Sequence, residues 1–188
     1  MRLAVFIAAN TDAIVAHWVE FAATQLPAAT FMTQLELRDH AEQILEAIVL
    51  DLGTPQTPEE QSAKARGLAP APFPARETAA QAHAVLRARS GFDIRQLAAE
   101  YRALRASVLA LWMRAEPPAP SDLEDMVRFN EAIDQALAES IGHFSEQVER
   151  ARNLLLGMLS HDMRSPLQAI QITATYLSRL NAGHAVSD

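Results

Sequence analysis

Ten prolines punctuate this chain, and none falls between Pro120 and Pro166. The run between them, about 45 residues, carries apolar side chains at helical spacing and can form one uninterrupted helix of roughly 68 Å at 1.5 Å per residue. Ser121-Asp122-Leu123-Glu124 opens it as a capping box, in which the hydroxyl and the carboxylate three residues on satisfy orphan N–H groups of the first turn. A helix of that length outruns a bundle of ordinary size, so its far end needs a partner of its own. Met126, Asn130, Ile133 and Leu137 step by four, three, four, and Ile141, Phe144, Val148, Ala151, Leu155 and Met158 continue at heptad spacing. Between Leu137 and Ile141 the step is four where three is due. This stutter unwinds a supercoil locally, and Gly142 beside it lowers helix propensity by about 1 kcal/mol relative to Ala. Two readings stand: a junction passing motion into the distal helix, or ordinary packing of a bundle's last helix with a coil starting after it.

The rest of the chain also reads as helix. Leu3, Phe6, Ile14, Trp18 and Phe21 form one apolar stripe, ended by Pro27. Thr33-Gln34-Leu35-Glu36 is a second capping box, leading a stripe of Leu37, Ala41, Ile44, Ile48 and Leu52, with Gly53 as its stop. Residues 53–75, rich in proline and glycine, read as a loop. A third helix is expected from about Arg76 to Ser90, closed by Gly91. Asp93-Ile94-Arg95-Gln96 caps a fourth, carrying Leu97, Tyr101, Leu104, Val108 and Leu111/Trp112. No segment alternates as a strand does, so the fold class is all-α.

Composition narrows the function classes. The net charge of −7 disfavours a nucleic-acid partner. The absence of cysteine removes disulfides and thiolate metal sites and fits the cytoplasm. Leu3–Ala9, the apolar stretch near the start, is far too short to span a bilayer, and no membrane association is expected. Residues 121–149 hold eight carboxylates against the single Arg128; a solvated face is the preferred reading over a docking site for a basic partner.

One short run carries chemistry: His161-Asp162-Met163-Arg164-Ser165-Pro166-Leu167. A neutral imidazole keeps a lone pair on one nitrogen and can attack the γ-phosphorus of ATP, provided something holds or deprotonates the other nitrogen. Asp162 is placed for that, as base or orienter. Arg164 and Ser165 share a helix face with His161 at i+3 and i+4. Pro166 has no N–H and clashes with the carbonyl of Asp162, so a bend is expected just past the acceptor.

All seven positions resemble the H-box of sensor histidine kinases, and Leu155-Leu156-Gly157-Met158-Leu159-Ser160 is similar to that family's apolar lead-in. The resemblance implies His161 as phosphoacceptor, Asp162 as base or orienter, Ser165 as an aid to the phosphatase direction, and Pro166 as the helix kink. It also implies a homodimer through the C-terminal helix and a response regulator receiver domain as partner. A second resemblance rests on Glu77 to His83, Gly91-Phe92-Asp93, Glu100 to Arg105 and Phe129 to Ala136. These segments are similar to the N-terminal domain of the RsbRD-type stressosome co-antagonist proteins, over roughly residues 1–145. That family implies a globin-like helical bundle used for sensing or protein interaction.

Together these readings give a cytoplasmic histidine kinase's input half: a helical sensor domain over residues 1–145, then a signalling helix and the first helix of a dimerisation and phosphotransfer domain over 146–188. Asn181-Ala182-Gly183-His184 reads as a helix end. The family's second hairpin helix and ATP-binding domain are missing, and no phosphate-cradling glycine loop occurs. A truncated chain is therefore expected, unable to phosphorylate itself, with ATP and Mg belonging to the missing domain and no cofactor of its own. Alternatives are a stressosome-like scaffold without kinase activity, a haem-based gas sensor, and a small phosphotransfer protein, whose His-x-x-Lys-Gly context His161 lacks. His17, His40, His83 and His143 show no paired-ligand pattern, which favours a haem-free domain. Trp18, Phe92, Tyr101 and Trp112 read as core before they read as a ligand pocket.

Overall fold

The structure, a computed structural model, describes residues 1–38, 40–66, 77–115 and 122–184. Among them all regular structure is helical: α1 (Leu3–Ala9), α2 (Thr11–Ala23), a 3-10 turn (Ala28–Phe31), α3 (Gln34–Arg38), α4 (Ala41–Gly53), α5 (Pro58–Ala65), α6 (Ala79–Arg89), α7 (Ile94–Ala115) and α8 (Asp122–His184). The chain is an all-α helical bundle followed by helix, in two compact units, Met1–Gln147 and Val148–Asp188.

The expected first helix is two. The α1–α2 pair bends by 76° at Asn10, whose backbone leaves the helical region. The Asn10 amide donates to the Phe6 carbonyl at 2.8 Å and the Thr11 hydroxyl to that of Ile7 at 2.9 Å, so polar side chains beside the break cover carbonyls that a continuing helix would have bonded. The bend lets both helices bury apolar faces: Leu3, Phe6 and Ile7 from α1, and Ile14, Val15, Trp18 and Ala22 from α2. No single described helix is long and apolar enough to cross a membrane.

The second expected helix is also divided. Its capping box forms, with Thr33 N–H donating to Glu36 at 2.7 Å and Glu36 N–H to the Thr33 hydroxyl at 3.2 Å. However, α3 ends at Arg38, and α4 restarts after His40 with the predicted stripe Ala41, Ile44, Ile48 and Leu52 buried. The reading of residues 53–75 as loop is wrong over Pro58–Ala65. Thr57 caps α5 through a full capping box with Glu60, and Pro58 sits in the first turn, where its missing N–H costs nothing. Gly67, Pro70, Pro72 and Pro74 lie outside the described residues, as do Arg76, Ser121 and the prolines at 117, 118 and 120.

Two later caps form, and the one at Asp93 is the expected one. Thr78 boxes with Gln81 at the start of α6. Asp93 and Gln96 exchange bonds of 2.8 Å in each direction at the start of α7. Between them Gly91 takes φ +81°, a left-handed conformation that glycine adopts without steric cost. The core of the first unit is built on Trp18, Leu97, Tyr101, Leu104, Phe129 and Ile133, with Phe144 at its distal end.

Within that unit the inner face of α8 is Phe129, Ala132, Ile133, Ser140 and Phe144, while Met126 and Leu137 are half-buried. The Leu137–Ile141 stutter thus falls where the helix packs on its own bundle. The solvated acidic face is only partly observed. Asp125 is buried, accepts the Leu3 N–H at 2.8 Å and pairs with Arg2 at 2.6 Å. Asp134 pairs with Arg105, and Glu131 accepts from Gln61. Charge counting along a helix cannot see these partners, because they come from distant segments. Helix α8 continues through Pro166 to His184, longer than the run up to Pro166 implied.

Candidate functional site

The seven-residue run lies in the second unit, on α8. His161, Asp162, Arg164, Ser165 and Pro166 are all exposed. The His161 and Asp162 side chains are 85% and 80% exposed, with His161 Nδ1 3.3 Å from Asp162 Oδ1. The structure therefore brings the predicted acceptor and its predicted orienter together. For Arg164 and Ser165 it gives a shared helix and exposure, with no described contact to the imidazole. Pro166 stands inside the helix, and its missing N–H leaves the Asp162 carbonyl without its helical donor, one residue from the imidazole. The surrounding helix is apolar as well as exposed: Leu155, Met158, Leu159, Met163, Leu167 and Ile170 all lie open.

A second polar constellation lies inside the first unit and has a different character. The Arg87 guanidinium meets the Glu100 carboxylate with Nε 3.0 Å from both oxygens and Nη2 2.9 Å from Oε1. Its remaining N–H groups reach the carbonyls of Glu36 and Leu37, each at 3.0 Å, and the plane sits over Phe92 at 4.9 Å. Both side chains are fully buried. A buried charge pair with its further donors satisfied by carbonyls is the arrangement that offsets desolvation. It joins α6 and α7 to the carbonyl end of the short α3, which also explains why so brief a helix is kept.

His83 is one turn from Arg87 and equally buried, with Nε2 3.3 Å from Glu100 Oε2. Its ring packs edge-on against Trp18 at 5.3 Å and Tyr101 at 6.0 Å. The Tyr101 hydroxyl lies 2.7 Å from Ser140 Oγ, and Ser140 in turn donates to the Ala80 carbonyl at 2.6 Å. Burial pushes the Tyr101 hydroxyl well above its ordinary pKa, opposed in part by the Ser140 bond, so it stays a protonated donor. Trp18, Phe92, Tyr101 and Trp112 are all core residues. The one-turn spacing of His83 and Arg87 is visible in sequence. Their common partner Glu100 is not, because it arrives from the next helix.

The first unit is a helical bundle cross-linked by buried polar pairs, and comparison with known families adds to that description. Residues 12–163 match the family described as the RsbT co-antagonist protein rsbRD N-terminal domain. The chain belongs to that family, and its helical part is a stressosome-like signalling module. No curated protein and no solved structure matches it.

Proposed function

We propose that this chain is the sensory and phosphoacceptor portion of a cytoplasmic two-component histidine kinase. One observation carries the reading: a complete seven-residue H-box pattern whose imidazole is exposed on a helix and faces the adjacent carboxylate. With the proton on Nδ1 directed to Asp162, Nε2 keeps its lone pair toward solvent. That nitrogen attacks the γ-phosphorus of ATP, a P–N bond forms as the bond to the leaving ADP oxygen breaks, and the ring proton passes to Asp162 or water. The phosphoramidate is then transferred to an aspartate of a response regulator. Nucleotide and Mg come with a catalytic domain. The exposed apolar residues of α8 pair with a second copy of the chain, since an apolar surface of this extent does not stay in water unpartnered.

The test supplies a kinase catalytic domain in trans. The chain should take label on His161, acid-labile and base-stable, and His161→Gln should abolish it without loss of helical content. Strong labelling of His161→Gln would refute the assignment. A second reading, an interaction scaffold without phosphotransfer, is favoured by the extent of the family match, which runs through Met163 and so includes the acceptor position. It predicts no labelling under any catalytic domain, while self-association through the distal part of α8 persists.

A further inference from the structure

We propose that a cleft in the first unit, walled by α4, α5, α6 and α8, binds a small amphiphile with a cationic head and an apolar body, and that Glu139 receives the head. The cleft measures about 720 Å3, within the range of about 300–1,000 Å3 usual for small-molecule sites. Its apolar lining includes Ile44, Ile48, Ala80, Ala132 and Ala136. Where the four helices approach, three of these side chains are single methyl groups, so the walls meet without filling the space between them.

Charge decides the ligand class. At the α6–α8 end, Glu139 Oε2 accepts from the Thr78 hydroxyl at 3.0 Å and Oε1 from the Gln135 amide at 3.0 Å. Both donors are neutral, and all three residues line the cleft. The carboxylate is thus held in place with its negative charge uncompensated by these partners, and each oxygen keeps further acceptor capacity. At the other end Asp51 pairs with Lys64, whose side chain is only 9% exposed. Lys64 is the single cation among the described lining residues, and it is already engaged. Glu59 and Glu60 add two more carboxylates to the rim. An anionic head would enter against this field, whereas an ammonium group gains a charge-assisted bond to an oriented acceptor.

The experiment titrates the full chain with octylammonium chloride and, separately, sodium octanoate, both below micelle formation and at equal ionic strength, by calorimetry. Octylammonium should bind saturably at one per chain and octanoate should not. Glu139→Gln keeps the side-chain shape and should weaken binding about tenfold or more, since a bond to a charged group is worth about 1.5–3 kcal/mol. Ala136→Phe fills the cleft and should abolish binding; if circular dichroism shows that variant misfolded, Ala47→Phe on the exposed rim takes its place. Equal affinity for octanoate, no binding of octylammonium, or indifference to Glu139→Gln would overturn the proposal. Adsorption to the exposed apolar face beyond Val148 would survive both kinds of substitution and counts equally against it. The phosphoacceptor reading plays no part in this test.

Discussion

Replacing Glu100 with Leu should be among the most damaging single changes available to this chain. The substitution is close to isosteric in bulk, so packing loss is small, but it strands the fully buried Arg87 guanidinium without its carboxylate. Removing one partner of a buried ion pair costs about 3–5 kcal/mol, because the remaining charge is left uncompensated. Unfolding the 147-residue first unit carries an entropy of about 0.3 kcal/mol/K at about 2.1 cal/mol/K per residue. The melting temperature should therefore fall by roughly 10–16 °C in a calorimetric scan. The companion variant is Arg87→Met in the same chain. Removing both charges should recover a good part of the loss, with a coupling energy in the double-mutant cycle of about 1–3 kcal/mol. The Arg87 contacts to the Glu36 and Leu37 carbonyls set a limit, since those acceptors lose a donor in the double variant. A fall of less than about 3 °C for Glu100→Leu, or a double variant as unstable as the sum of the singles, would refute the reasoning.

Ser140→Ala removes the hydroxyl between Tyr101 and Ala80 and should cost about 1–3 kcal/mol in urea unfolding, whereas Tyr101→Phe in the same chain should recover part of it, because the stranded phenol is then gone. Asp93 and Glu36 are both held below the ordinary carboxylate range, Asp93 chiefly by Arg95 and Glu36 by the Thr33 backbone. Their stabilising effect should be complete above the unfolded carboxylate pKa and lost as pH falls through the depressed folded one, so the melting difference between the parent and Asp93→Asn should shrink on acidification. Asp162→Asn should slow phosphoryl transfer to His161 by about 100-fold to 10,000-fold in a trans-labelling time course, as loss of a general base does. Light scattering should give twice 20.6 kDa; a monomer at high micromolar concentration would refute pairing through α8.

The sequence shows most clearly what is local. Caps at Thr33 and Asp93 are written in four adjacent residues and form as expected, and the boxes that the structure adds at Thr57 and Thr78 are just as local. Apolar stripes identify the buried faces of α4 and α7 because burial follows the helical period. Breaks were less visible. Nothing in the spacing of Leu3 to Phe21 says that the helix turns by 76° at Asn10, since the stripe survives the bend with both halves facing the core. Long-range polar partners were invisible for a related reason. Asp125 reads as one more carboxylate on an acidic helix until α1 delivers the Leu3 N–H and Arg2 to it. Glu100 likewise reads as a surface residue until Arg87 arrives from the preceding helix.

Two histidines in this chain stand in opposite environments. His83 is enclosed by Trp18 and Tyr101, and the carboxylate nearest to it is already claimed by Arg87. Its ring contributes packing and polarity to the core, and a nucleotide phosphate could reach it only by opening the bundle. His161 has the opposite setting: an open ring and a carboxylate whose only described partner is the imidazole itself. An acceptor that must meet first a nucleotide and then the aspartate of another protein needs that openness, while a structural histidine is served by enclosure. The phosphotransfer proposal therefore rests on His161 alone. If label appeared on the chain but survived His161→Gln, His83 would be the last histidine to suspect, and the surface histidine His17 would be a better place to look.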